Sequence, residues 1–302
     1  MNKKSRRFVF VDVLLILFMV LPIVAGLIIK ILTAAPTEGI SIAGAQIYFT
    51  IPMPLQDLPV TESQVNSLLV LVSVSALCLF LTHGLKVKAD TARQHIAEWI
   101  VEKVEALVAD SMGDFFAGFA PFITAILALS AFSSLLTLFG LYAPTGDINI
   151  VAGWAILVFV LITYYKMKAG PLVYAKSFAE PVSFLLPINM ISEVATPVSM
   201  AFRHYGNVLS GAVISVLISA GLQGLSSMLF GWLPGVFGDI PFLRIGIPAV
   251  FSVYFDIFSG CLQAYIFAML TMMYVGGSFP ADEYFKRKAK KESKKNKKII
   301  NQ

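Results

Sequence analysis

Long apolar runs, separated by short polar or proline-rich breaks, set the pattern of this chain. Residues 8–32 form the first run, behind the basic cluster Lys3, Lys4, Arg6 and Arg7. Its length of about 25 residues suffices to cross a bilayer and exceeds the 7–15-residue apolar core of a secretory signal. Residues 1–32 are therefore expected to be a retained membrane anchor. Residues 33–63 hold four prolines and no Lys or Arg, and read as an irregular external loop. Three further runs, 67–82, 115–141 and 151–165, each match one crossing. Residues 197–232 and 243–276 are longer, about 50 Å each at 1.5 Å per residue, against a hydrocarbon core of about 30 Å. Ordinary tilt does not absorb that excess, so both are expected to be strongly inclined, kinked or extended past the bilayer.

One segment has a different period. Ile96, Ile100, Val104, Leu107 and Val108 recur at helical spacing over 91–112, with Gln94, Glu98, Glu102 and Glu105 on the other faces. That predicts an amphipathic helix, either on the membrane interface or packed on the chain's own loops. The fold class is thus an all-α polytopic membrane protein with about six crossing helices and one amphipathic helix.

Composition agrees: of 302 residues, 57% are hydrophobic and only 14% charged, where a soluble domain carries about 25%. The net charge of +5 does not signal nucleic acid, because nine of the 23 basic residues lie in the tail between Lys286 and Lys298 and most others flank apolar runs. With the N-terminus inside, six crossings return the C-terminus inside. Twenty of the 23 Lys/Arg then fall on the cytoplasmic side, the exceptions being Lys30, Arg203 and Arg244. The expected external loops (33–63, 142–149, 232–242) hold none, which is a strong positive-inside signal. Cys78 and Cys261 lie in apolar stretches and read as buried free thiols. His83, His95 and His204 lack metal-ligand spacing. Without a phosphate-binding loop or a nucleophile elbow, the chain is expected to be non-catalytic, with no cofactor and no metal.

Arg203 is the residue that needs a function. A guanidinium stays charged in any protein setting, and an intramembrane charge is a functional-site hypothesis by default. Arg203, Asn207 and Ser210 lie at i, i+4 and i+7, on one helix face. Asp256, Ser259 and Gln263 repeat the arrangement at i, i+3 and i+7 on the last long run. Two polar stripes in apolar helices are expected to face each other or a common cavity, with Gly206, Gly211, Gly221 and Gly224 thinning the first helix. Asn207 and Gln263 taken singly also suit plain helix-to-helix hydrogen bonding. His204 reads as a satisfied interface residue, and Asp12 as an interfacial one.

Three stretches carry a resemblance. They are Pro187-Ile188-Asn189-Met190-Ile191-Ser192-Glu193 with Pro197-Val198-Ser199 and Arg203-His204-Tyr205-Gly206-Asn207, then Leu262-Gln263-Ala264-Tyr265-Ile266-Phe267-Ala268-Met269-Leu270-Thr271, and Tyr165-Lys166-Met167-Lys168-Ala169-Gly170. Together they resemble subunit a of bacterial F-type ATP synthases over about residues 60–277. The resemblance implies a stator subunit in the cell membrane, with both termini cytoplasmic, beside a ring of c subunits and the b subunits of a peripheral stalk. It also implies two half-channels that carry protons or sodium ions to and from the ring. Arg203 then matches the arginine facing the ring carboxylates, Asn207 and Gln263 match neighbours of it, and Ser210 shares its face. Asp256 falls where many members carry Glu or His in the external half-channel, and Glu193 matches a glutamate near the cytoplasmic one. Ala212 stands where some members place an acid or imidazole, and Thr196 replaces a frequent lysine. The competing class is a self-contained cation transporter or channel. Such proteins often show an internal repeat of their halves, and none is visible here.

Overall fold

The computed structural model describes residues 3–33, 44–54, 56–87, 91–168, 170–179, 182–232, 242–282 and 284–289. The expected break at 233–241, most of the basic tail and Lys88 lie outside them.

Helices dominate. In chain order they are α1 (Lys3–Thr33), α2 (Glu62–Thr82), α3 (Ala92–Met112), α4 (Ala120–Leu135), α5 (Ile148–Met167), α6 (Pro171–Ser177), α7 (Leu186–Phe230), α8 (Phe242–Ser252) and α9 (Gly260–Gly277). A π-helical segment, Val253–Ser259, joins α8 to α9, and 3₁₀ turns extend α4 so that Asp114–Phe139 is continuous. Among the described residues six stretches are long and apolar enough to cross a membrane: Val9–Thr33, Glu62–Thr82, Asp114–Phe139, Ile148–Met167, Leu186–Phe230 and Gly246–Gly277. All six are helical, as they must be where no water satisfies backbone groups.

Two features correct the sequence reading of the loops and thiols. Residues 33–63 are not wholly irregular: β1 (Ile47–Ile51) and β2 (Leu58–Thr61) pair as an antiparallel ribbon. Pro59 sits in β2, a position tolerated because a two-stranded ribbon is all edge. Cys78 and Cys261 are exposed rather than buried, since an apolar run that spans a membrane turns one face to lipid.

α7 begins at Leu186 rather than at 197. Its 45 residues correspond to about 68 Å, and a bilayer core crossed even at 40° takes up only about 39 Å. Only six of its 45 residues are buried in the chain, against four of 20 in α5 and eight of 18 in α9. The helix therefore offers most of its surface to whatever surrounds the protein.

The main core joins α3, α4, α5, α7 and α9. Ile123, Val158, Phe267, Ala268, Met272 and Val275 are almost wholly buried there. Val104 and Val108 bring the second half of α3 into this core, while Ile96 and Trp99 in its first half stay exposed. The amphipathic helix is thus anchored against membrane-spanning helices by its C-terminal end. A second core of Val70, Val74, Leu136 and Leu141 takes in Ile23 and Leu27 of α1.

Helix α9 packs tightly against α4 at Gly260. A Cβ there would lie 2.5 Å from Ser134 Cβ, both on regular helix with no room to yield. Overpacking of this kind costs about 1–3 kcal/mol. Gly260→Ala is expected to lower the thermal midpoint of the purified protein, and Ser134→Gly combined with it is expected to recover part of the loss. An unchanged midpoint in Gly260→Ala contradicts this packing.

Candidate functional site

The bundle has polar groups at both ends and a polar cavity between helices. The end bearing the β ribbon is held by a buried network. Glu62, at the start of α2, is 3% exposed and Asn66 1%. The Lys30 ammonium lies 3.4 Å from Glu62 Oε1 and donates to the Gly140 carbonyl. The Tyr142 amide donates to Glu62 Oε1 at 3.3 Å, and Asn66 Nδ2 donates to the Tyr142 carbonyl at 2.8 Å. The Ser63 hydroxyl donates to Asp147, which also caps α5 by accepting from the Asn149 amide at 2.9 Å. Burial raises the Tyr142 phenol above its usual range, assisted by the negative charge of Asp147. One of the three exceptions to the charge asymmetry, Lys30, is therefore explained by a specific carboxylate.

From this end a cavity of about 680 Å³ runs inward. Lys30, Tyr142, Tyr205, Asn207, Ser215 and Asp256 supply polar groups to its wall, and Ala212 lines it as well. Where Ala212 supplies no acid or imidazole, Asp256 brings the carboxylate to the same space from the facing helix. The π segment is what places it there. An i→i+5 turn inserts one residue per turn and re-aims the side chains that follow. Asp256 and Ser259 lie within it, so the simple 3.6-residue alignment with Gln263 does not hold. Gln263 is instead buried, 7% exposed, among the core residues of α9 and outside the cavity lining.

The two polar stripes do meet. The Ser259 hydroxyl donates to Asn207 Oδ1 at 3.0 Å across α7 and the π segment. Phe255 lies against Gly211, whose added Cβ would stand 3.6 Å from Phe255 Cβ. Gly206, Gly221 and Gly224 have open space instead, so of these four glycines only Gly211 serves contact within the chain. Ser210 is exposed, and its hydroxyl donates back to the Asn207 carbonyl at 3.1 Å.

Arg203 is exposed on α7 and is not part of the cavity wall. Among the described residues it makes no hydrogen bond, ion pair or ring contact. Its neighbour His204 points the other way into the core and is 0% exposed. Its Nε2 lies 3.3 Å from the Ser130 hydroxyl, and its Nδ1 has no partner. His204 is therefore a half-satisfied core residue, not the fully satisfied one expected.

At the opposite end Glu193, with a side chain 8% exposed, lies 3.1 Å from the Lys166 ammonium and accepts from the Tyr174 hydroxyl at 3.0 Å. Burial, then the Glu193 charge, raise the Tyr174 phenol. Thr196 is spent on its own helix, donating to the Ser192 carbonyl at 2.9 Å. Asp12 has more than an interfacial position. It accepts from Arg93 at 2.9 Å and lies 2.9 Å from His83 Nδ1, tying α1, α2 and α3 together.

Residues 65–276 match the family model for the ATP synthase A chain. This chain belongs to the ATP synthase A chain family. Subunit a of the ATP synthase of Priestia megaterium is 31% identical over 246 residues, covering 76% of this chain and 97% of the relative. Subunit a 1 of Crocosphaera subtropica is 29% identical over 198 residues, 65% of this chain and 76% of the relative. Subunit a of Legionella pneumophila is 26% identical over 228 residues, 75% and 90%. Arg203, Asn207, Asp256, Gln263 and Glu193 all fall within the matched region, whereas Lys30 and Glu62 precede it.

Sequence reasoning did not identify Lys30, Glu62, Asn66 and Tyr142 as site residues. Its one available signal was that Lys30 breaks the charge asymmetry and so needs a partner. The Asn207–Ser259 contact predicts that a pair of cysteines at these positions, with Cys78 and Cys261 replaced, cross-links within one chain on mild oxidation. A pair at Asn207 and Val275 is expected not to react. No product from the first pair contradicts the contact.

Proposed function

We propose that this chain is the non-catalytic ion-path stator subunit of a rotary ATP synthase. In this reading it supplies two half-channels that carry protons or sodium ions to and from a ring of c subunits, and the peripheral stalk with its b subunits holds it against rotation. The observation that carries the proposal is the exposed Arg203, without a partner among the described residues, on a long helix that the chain leaves largely uncovered. A permanent charge on a membrane-spanning helix demands a counter-charge. Three acidic groups at the ends of the bundle are engaged elsewhere: Glu193 with Lys166, Glu62 with Lys30, and Asp12 with Arg93. A succession of carboxylates on a moving partner answers that demand.

The basic residues support an orientation with the ribbon end outside and the Glu193 end in the cytoplasm of a bacterial cell. The 680 Å³ cavity then serves as the outer half-channel, with Asn207 and Asp256 at its inner wall. The Glu193, Lys166 and Tyr174 cluster marks the start of the cytoplasmic one. Gln263 acts from the core side of α9, and Ser210 lies on the exposed face near Arg203. Arg203 belongs neither to the cavity wall nor to the Glu193 cluster, in keeping with a charge that separates the two paths.

Elementary electrostatics gives the mechanism. A ring carboxylate about 4 Å from the guanidinium gains roughly 4 kcal/mol at an effective dielectric near 20. That equals about three pKa units, enough to make it release its cation there. The guanidinium cannot deprotonate, so it does not relay a proton directly between the half-channels. The cation must instead board the ring from one half-channel and travel nearly a full turn to the other. Each unit charge that crosses contributes about 2.3 kcal/mol per 100 mV. The length of α7 and the open faces of Gly206, Gly221 and Gly224 suit a wall against which another subunit slides.

Replacing Arg203 by Ala is expected to reduce ion-driven ATP synthesis by at least about 100-fold, on the roughly 4 kcal/mol estimate, in complexes of normal subunit composition. Synthesis at wild-type rates in such complexes sinks the proposal.

A further inference from the structure

Helix α1 lies outside residues 65–276, yet Lys30 of α1 lines the cavity that leads to Asn207 and Asp256. Its ammonium joins three elements, 3.4 Å from Glu62 Oε1 at the start of α2 and donating to the Gly140 carbonyl after α4. The two partners differ in access: the Lys30 side chain is 39% exposed and that of Glu62 only 4%. A buried carboxylate needs a cation or hydrogen-bond donors. Glu62 receives one amide donor, from Tyr142, and its cation is tethered in the same chain. Helix α1 is fixed in place for this, because Gly26 lets it close on Leu69 and Leu141, and Ile23 and Leu27 pack on the second core.

We propose that Lys30 is a specificity-determining gate of the ribbon-end cavity. Its ammonium lines the cavity and covers the buried Glu62 carboxylate, which is not itself part of the cavity wall. This rests on the reading above that the cavity is an ion-entry path. An arriving cation then meets a covered carboxylate and is passed inward without being held. Without the ammonium, the uncompensated Glu62 charge behind the wall becomes a collecting site, since a fixed negative charge beside a cavity raises the local cation concentration. The titratable groups facing the pair are Tyr48, Tyr142 and Asp147, with Tyr205 and Asp256 further along the cavity. Burial together with the charge of Glu62 raises the Tyr48 phenol, so neither Tyr48 nor Tyr142 supplies a competing charge near neutral pH.

The test uses the whole ATP synthase complex in vesicles. ATP synthesis is measured against the concentration of the driving cation on the ribbon side at fixed membrane potential. Lys30→Met is expected to lower the half-saturating concentration three- to tenfold. Lys30→Arg restores most of the wild-type dependence, and Lys30→Met with Glu62→Gln loses the gain. A Lys30→Met complex of normal composition within twofold of wild type overturns the proposal, as does a gain that survives in the double variant. If Lys30→Met fails to assemble, Glu62→Gln alone decides. It leaves the ammonium uncompensated and is expected to raise the half-saturating concentration at least threefold, and no change overturns the gate. Arg203→Ala measured in parallel separates the two ideas. Retained coupling in it defeats the stator reading, whereas lost coupling beside an unaltered Lys30→Met defeats only the gate.

Discussion

An unpaired guanidinium on a membrane-spanning helix is the constraint from which the rest of this structure follows. The charge cannot be neutralised by proton loss, and the described residues offer Arg203 no partner. The chain tolerates it by leaving α7 largely uncovered and turning the arginine outward, while His204 beside it is driven wholly into the core. A membrane protein that kept this arrangement without an external counter-charge would bear the full desolvation cost. The surface around Arg203 is therefore read as one half of an interface.

The polar groups elsewhere are arranged so as not to compete for that charge. Three carboxylates have their own cations: Glu62 with Lys30, Asp12 with Arg93, Glu193 with Lys166. These pairs also tie together elements far apart in sequence, so electrostatics at the ends and apolar packing in the middle hold one bundle. The Asn207–Ser259 bond and the π segment then fit α8 and α9 to α7, with a polar cavity on the side away from the main core.

The six crossings were legible because bilayer thickness and the helical rise leave few ways to place 20 apolar residues. Arg203 was legible for the same reason, as a charge where none is cheap. The start of α7 was not. Pro197 reads as a boundary, because proline disfavours helix in the residue before it, yet the helix runs through it from Leu186. The ribbon was hidden by the four prolines of residues 33–63, of which Pro59 alone lies in a strand, where an edge position accommodates it. The π segment leaves no trace in composition, so the placement of Asp256 relative to Gln263 could not be read from spacing. Exposure of Cys78 and Cys261 was missed because an apolar neighbourhood in a membrane protein faces lipid as readily as core. The Lys30–Glu62 pair joins an anchor helix to the matched region's edge. Only its breach of the charge asymmetry pointed to it.

In the proposed reading the counter-charge of Arg203 belongs to another subunit. It is tested most directly by a structure of the assembled complex in a lipid bilayer, resolved well enough to place side chains around α7. The account predicts a carboxylate of the neighbouring ring within about 4 Å of the Arg203 guanidinium in at least one rotational state, the separation at which release is driven. A guanidinium that faces lipid headgroups, or pairs with a carboxylate of its own chain in every rotational state, contradicts it.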